Sequence, residues 1–115
     1  MKILIADDEA TNRQLLSAGL RKLGYEVEVT TNGEEAWAAL QRADAAELAI
    51  LDWMMPGMTG PEICLKLRGR ENAPYVYVIL LTGMSELKAL VEGLESGADD
   101  FIAKPFRIPE LYARL

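Results

Sequence analysis

The sequence predicts an α/β fold, one doubly wound domain with helices on both faces of a five-stranded parallel sheet. Three observations carry that expectation. Short apolar runs recur along the chain, segments with helical spacing separate them, and 115 residues at 50% hydrophobic composition suit one core. Parallel neighbours need crossover connections, which the intervening helices supply with right-handed sense.

Each element has its own local reason. KILIA (2–6) is a continuous apolar run, and in TNRQLLSAGLRKLG the residues Leu15, Leu16, Leu20 and Leu23 form a helical stripe that Gly24 stops. YEVEVT (25–30) alternates Tyr25, Val27 and Val29 with Glu26, Glu28 and Thr30, the pattern of an edge strand with one wet face. EEAWAALQRA sets Ala36, Trp37 and Leu40 on a helical face, and LAILD (48–52) is again continuously apolar. PEICLKLRG opens with Pro61 at a helix start and closes on Gly69. A strand YVYVILLT (75–82), a helix SELKALVEGLES stopped by Gly97, and a strand FIAK (101–104) follow. In RIPELYARL, Ile108, Leu111 and Leu115 stay in helical register, so the last helix is expected to be cut at its end.

Composition narrows the function. Twelve basic against eighteen acidic residues give a net charge of -6, which argues against direct nucleic-acid binding or attachment to an anionic membrane. One cysteine, Cys64, and no histidine remove disulfides, ordinary zinc sites, Ser-His-Asp triads and Cys-His dyads together. No apolar run reaches the ~18 residues of a membrane span, so a cytoplasmic domain is expected.

The informative polar residues share one position in the pattern. Asp7 and Asp8 follow the first strand, Asp52 ends the third, Thr82 the fourth and Lys104 the fifth. In an open parallel sheet those carboxyl ends form one rim, where doubly wound folds bind ligands. Two unit charges ~4 Å apart repel by about 4 kcal/mol at an effective dielectric near 20, so three carboxylates there call for a cation. Oxygen-only donors select a hard ion, and Mg2+, which keeps several waters and takes one or two carboxylates plus a phosphate oxygen, fits best. The first loop is acidic and the chain lacks G-x-x-x-x-G-K-[ST] and G-x-G-x-x-G, which disfavours nucleotide binding. Read singly, the acids suit a helix start, and Glu9 is expected to charge the first one. Phe101, Trp37, Trp53, Met54, Met55 and Cys64 are most economically packing residues.

Taken in order, ILIADDE, LDWMMPGMTG, LLTG and GADDFIAKPF resemble the receiver domain of bacterial two-component response regulators, and the likeness spans essentially the whole chain. The resemblance implies a flavodoxin-like (βα)5 fold with strand order 2-1-3-4-5. It implies Asp52 as phosphoacceptor, taking a phosphoryl group from a sensor histidine kinase or a histidine phosphotransfer protein. Mg2+ would be held by Asp8, Asp52 and the Met54 backbone carbonyl, with Asp7 acting through water. Lys104 would contact a phosphoryl oxygen, while Thr82 and Phe101 would switch, changing the face of the last helices and favouring a homodimer. Gly83 stands where such receivers often carry alanine. Met54 and Met84 flank the acceptor, and as apolar groups they imply slow loss of the phosphate. An effector domain is expected outside residues 1–115; cyclic-dinucleotide enzymes, transcription factors and adaptors all carry such receivers. The resemblance implies a switch with only self-phosphorylation and self-dephosphorylation chemistry. A phosphorylation-independent scaffold and a Mg2+-dependent aspartyl-phosphate phosphohydrolase are the alternatives, and the second would want D-x-D where the chain reads Asp52-Trp53-Met54.

Overall fold

Strand β1 (Lys2–Ala6) leads to α1 (Ala10–Lys22), and the same beat continues through β2 (Glu26–Thr30), α2 (Gly33–Leu40), β3 (Leu48–Asp52) and α3 (Gly60–Arg68). β4 (Tyr77–Thr82), α4 (Glu86–Ser96), β5 (Asp100–Ala103) and α5 (Ile108–Arg114) complete the chain. The computed structural model describes residues 1–83, 86–104 and 106–115; Met84, Ser85 and Pro105 lie outside the described residues. All four strand pairings are parallel, in the order β2-β1-β3-β4-β5, which is the flavodoxin-like order.

Strand alternation divides the core between two faces. Ile3, Ile5, Leu48, Ile50, Ile79 and Leu81 point to the side closed by Leu16 and Leu20 of α1 and Leu111 of α5. Leu4, Ala6, Ala49, Leu51, Val78 and Leu80 point to the other, where Ala36, Ala39 and Leu40 of α2 and Ile63, Cys64 and Leu67 of α3 cover them. The central strands therefore carry apolar side chains on both faces, which is why β3 shows no polar alternation before Asp52. Among the described residues no helix is long and apolar enough to cross a membrane.

Several local expectations need correction. Leu15 and Leu23 are 48% and 50% exposed, because the buried stripe of α1 narrows to Leu16 and Leu20 and Leu23 already caps the helix. β2 is an edge strand, yet Val29 faces outward while Thr30 is buried and donates its hydroxyl to the Ile5 carbonyl at 2.8 Å. β4 begins at Tyr77, two residues later than the apolar run suggests. Tyr75 is instead exposed, hydrogen-bonded to the Asp99 carboxylate, with the Arg68 guanidinium 4.4 Å from its ring centre. β5 starts at Asp100 and stops at Ala103, so Lys104 follows the strand. The left-handed glycines Gly24 and Gly97 end α1 and α4 as expected, with φ of 94° and 87°.

Candidate functional site

The rim at the carboxyl ends of β1, β3, β4 and β5 brings the predicted polar residues together. Ala6 pairs with Leu51 and Asp52 with Leu81, so the residues that follow β1 and end β3 arrive side by side. Carboxylate oxygens of Asp7, Asp8 and Asp52 all lie within 4.8 Å of one another. Asp7 is fully buried, Asp52 is 5% exposed and Asp8 faces solvent. A hollow of about 430 Å³ opens over them, bounded by Asp8, Glu9, Asp52, Trp53, Met54, Thr82, Gly83 and Lys104.

Lys104 reaches into the cluster from the far edge. Its backbone N–H donates to the Thr82 carbonyl at 2.6 Å, extending the β4–β5 pairing by one residue and aiming the side chain inward. The ammonium lies 2.8 Å from Asp52 Oδ1 and 3.8 Å from Asp7 Oδ2. Burial pushes the Asp52 carboxyl up to about 6; the Lys104 bond opposes that rise, and the charges of Asp7 and Asp8 add to it. Lys104 is itself held above the usual lysine range: desolvation works against its charge, but Asp52, Asp7 and Glu9 outweigh it.

Asp7 is fixed by its own turn and by α1. Its Oδ1 accepts the Glu9 backbone N–H at 2.9 Å, its Oδ2 accepts from Asn12 Nδ2 at 3.2 Å, and its carbonyl accepts from the Arg13 guanidinium at 3.0 Å. Asn12 and Arg13 escape sequence reasoning because, at helical spacing, both read as solvated α1 residues. Glu9 does stand at the N-cap of α1, as its place in the sequence suggests, but it also forms part of the wall of the hollow.

The remaining predicted residues are placed unevenly. Thr82, buried at the end of β4, lines the hollow. Met54 stands on its lip with 65% of its surface exposed, and Trp53 is buried beneath. Phe101 lies on β5 opposite Leu80, packed against the α2–α3 core and not lining the hollow. Among the described residues, an alanine side chain at Gly83 would meet nothing within 4 Å, so no contact there requires glycine. Met84, the second flanking methionine, lies outside the described residues.

This donor set suits a hard cation. It consists of three carboxylates with no nitrogen or sulfur ligand among them, and two are withdrawn from water with one lysine to balance them.

Known proteins agree with this architecture. Residues 3–115 match the family described as response regulator receiver domain. PhoB, the phosphate regulon transcriptional regulatory protein of Rhizobium meliloti, is 42% identical over 114 residues, covering 99% of this chain and 50% of its own length. The chain spans about half the length of the curated relatives it matches. Among solved structures, the chemotaxis response regulator CheY4 of Vibrio cholerae superposes with a TM-score of 0.89 at 34% identity, covering 98% of this chain and 93% of that one. The receiver domain of the sensor histidine kinase PA1611 of Pseudomonas aeruginosa, described with a magnesium ion coordinated in its active site cleft, gives 0.85 at 29% identity, with 98% and 92% covered. With its family matched from residue 3 to residue 115, this chain belongs to the response regulator receiver domains of two-component systems.

Proposed function

We propose that the chain is a phosphorylation-controlled switch in which Asp52 accepts a phosphoryl group from a phosphohistidine on a sensor histidine kinase or a histidine phosphotransfer protein. The observation that carries this reading is the contact of Lys104 Nζ with Asp52 Oδ1 at 2.8 Å inside an acidic cluster. It places a fixed cation beside one buried carboxylate that opens onto solvent space. Receiver domains bind Mg2+ at an acidic pocket, and the all-oxygen donors here suit that ion. Asp8, Asp52 and the Met54 carbonyl would hold it, with Asp7 acting through water. When bound, it supplies neutralisation of the carboxylates and of the phosphoryl oxygens.

The chain's own residues account for the rest. An Asp52 oxygen attacks phosphorus as the phosphorus–nitrogen bond of the donor breaks, its electron pair returning to the imidazole. Lys104, already on Asp52, shifts to a phosphoryl oxygen. Because phosphoryl transfer depends mainly on in-line positioning and charge neutralisation, no further acid or base is required. A second hollow of about 420 Å³ adjoins the first and shares Glu9 and Lys104 with it, adding Asn12, Leu15 and Phe106. We assign the histidine-bearing partner to this side, where exposed Leu15 offers apolar contact beside the acceptor.

The product adds about -1.5 to -2 charge beside Thr82, by the measure of other protein phosphates. The Thr82 hydroxyl then turns toward the phosphoryl group and Phe101 turns inward, altering the α4–β5–α5 face and favouring pairing of two copies. The match to half the length of PhoB, a transcriptional regulatory protein, supports a transcriptional effector as the output this switch controls. Incubation with acetyl phosphate tests the acceptor. Wild type should incorporate phosphate only with Mg2+ and Asp52→Asn should not; equal incorporation by both removes Asp52 from its role.

A further inference from the structure

Between β3 and α3 the chain forms a loop, 53–59, tied down at its ends. The Trp53 N–H donates to the Leu81 carbonyl at 2.8 Å, the Gly60 N–H donates to the Trp53 carbonyl at 3.0 Å, and Thr59 forms a capping box with Glu62. Among the described residues, the backbone hydrogen bond that reaches the middle of the loop comes from α2: the Gly33 N–H donates to the Pro56 carbonyl at 3.1 Å. Gly33 also has no room for a side chain. A Cβ there would stand 2.7 Å from the carbonyl carbon and the nitrogen of Met58, and nearer still to its oxygen. These are backbone atoms and cannot rotate aside. The loop meets α2 again at Gly57, whose φ is 85° and where a Cβ would lie 2.8 Å from the Glu34 carboxylate.

Both sides of this contact are anchored in one core, which Trp53 and Met55 of the loop share with α2. Ala36, Ala39 and Leu40 are buried in the core, and the helix start is capped by Asn32, whose side chain accepts the Glu35 N–H at 2.9 Å. No α2 residue lines the rim hollow, whereas Trp53 and Met54 of the loop do. The contact with the helix falls on Pro56 and Met58, two and four residues beyond Met54, so a change in the distance between loop and helix is passed along the loop to Met54.

We propose that Gly33 is a positioning residue for the rim site: by letting α2 touch the loop backbone directly, it seats Met54 where its carbonyl can join the carboxylates around a divalent cation. The inference rests on the Mg2+ reading of the rim. Mg2+ demands near-ideal octahedral geometry, so a displaced loop loses affinity steeply while the fold, built on other contacts, persists. Residues that position ligands typically change metal affinity by about 10- to 100-fold.

The test titrates Mg2+ by fluorescence against the full chain carrying Trp37→Phe, so that Trp53 is the one fluorescent tryptophan, with melting in metal-free buffer measured in parallel. Gly33→Ala should raise the Mg2+ Kd at least about tenfold. Gly69→Ala is the control, because a Cβ there has its nearest neighbour at 3.6 Å, an ordinary contact, and its Kd should stay at the wild-type value. Amide exchange in the wild type gives a second reading that needs no variant to fold: saturating Mg2+ should slow exchange of the Gly33 amide and leave that of Gln41, at the other end of α2, unchanged. Wild type that binds Mg2+ together with a folded Gly33→Ala of equal affinity, or with Gly33 exchange indifferent to Mg2+, overturns the inference and leaves the switch reading standing. Wild type that fails to bind Mg2+ overturns both.

Discussion

Asp52 shows at the residue scale what burying a carboxyl costs in stability. Its carboxyl is raised from 3.8 to about 6, chiefly by burial, so the folded chain binds that proton more tightly than the unfolded chain does. The stabilising effect of the proton is complete below pH 3.8 and is lost as pH rises through about 6. In metal-free buffer Asp52→Asn should therefore be more stable than wild type at pH 8, on the order of 2 kcal/mol, with the gain vanishing toward pH 4. Chemical denaturation at the two pH values measures it. Met54, exposed on the lip of the hollow, has no strong hydrogen-bonding group to orient a water on an acyl phosphate. Met54→Asn should shorten the phosphate lifetime severalfold, read by the decay of phosphorylated protein after donor removal. Asp7, Asp8, Asp52, Thr82 and Lys104 were legible because each follows or ends an apolar run. Asn12 and Arg13 were not, since their bonds to Asp7 exist only once α1 folds back over the β1 turn.

At the scale of elements, periodicity identified the strands and helices, and tertiary contacts decided their edges. The apolar run 75–82 reads as one strand, but Asp99 takes the Tyr75 hydroxyl and the Val78 N–H, with Arg68 alongside, and pairing begins only at Tyr77. Likewise α1 buries Leu16 and Leu20 but leaves Leu15 and its cap residue Leu23 exposed, since a helix on one sheet face buries a narrow stripe. The last helix is held by one buried leucine and by the Tyr112 hydroxyl, which donates to the Gly19 carbonyl of α1 at 3.0 Å. Leu111 is fully buried against Leu16 and Leu20, so Leu111→Ala should cost about 2–4 kcal/mol in a denaturant titration. Its Mg2+ affinity should stay near the wild-type value, because α5 contributes no residue to the rim hollow.

For the whole molecule, the parallel order β2-β1-β3-β4-β5 makes a site from residues as distant as Asp7 and Lys104. β1, β3, β4 and β5 each contribute a carboxyl end, so acids from the β1 turn and β3 meet a lysine from beyond β5, and a cavity forms over them. Sequence patterning reached a parallel sheet, while the strand order came from family resemblance, because neighbouring strands of equal apolar character do not announce their partners. The switch reading stands on one covalent event at one carboxylate. Mapping that event tests it most directly: phosphorylate the chain with acetyl phosphate and Mg2+, trap the acyl phosphate by borohydride reduction, and locate the modified residue by peptide mass spectrometry. Modification confined to Asp52 is the predicted result; modification of Asp7 or Asp8 with Asp52 untouched would contradict it.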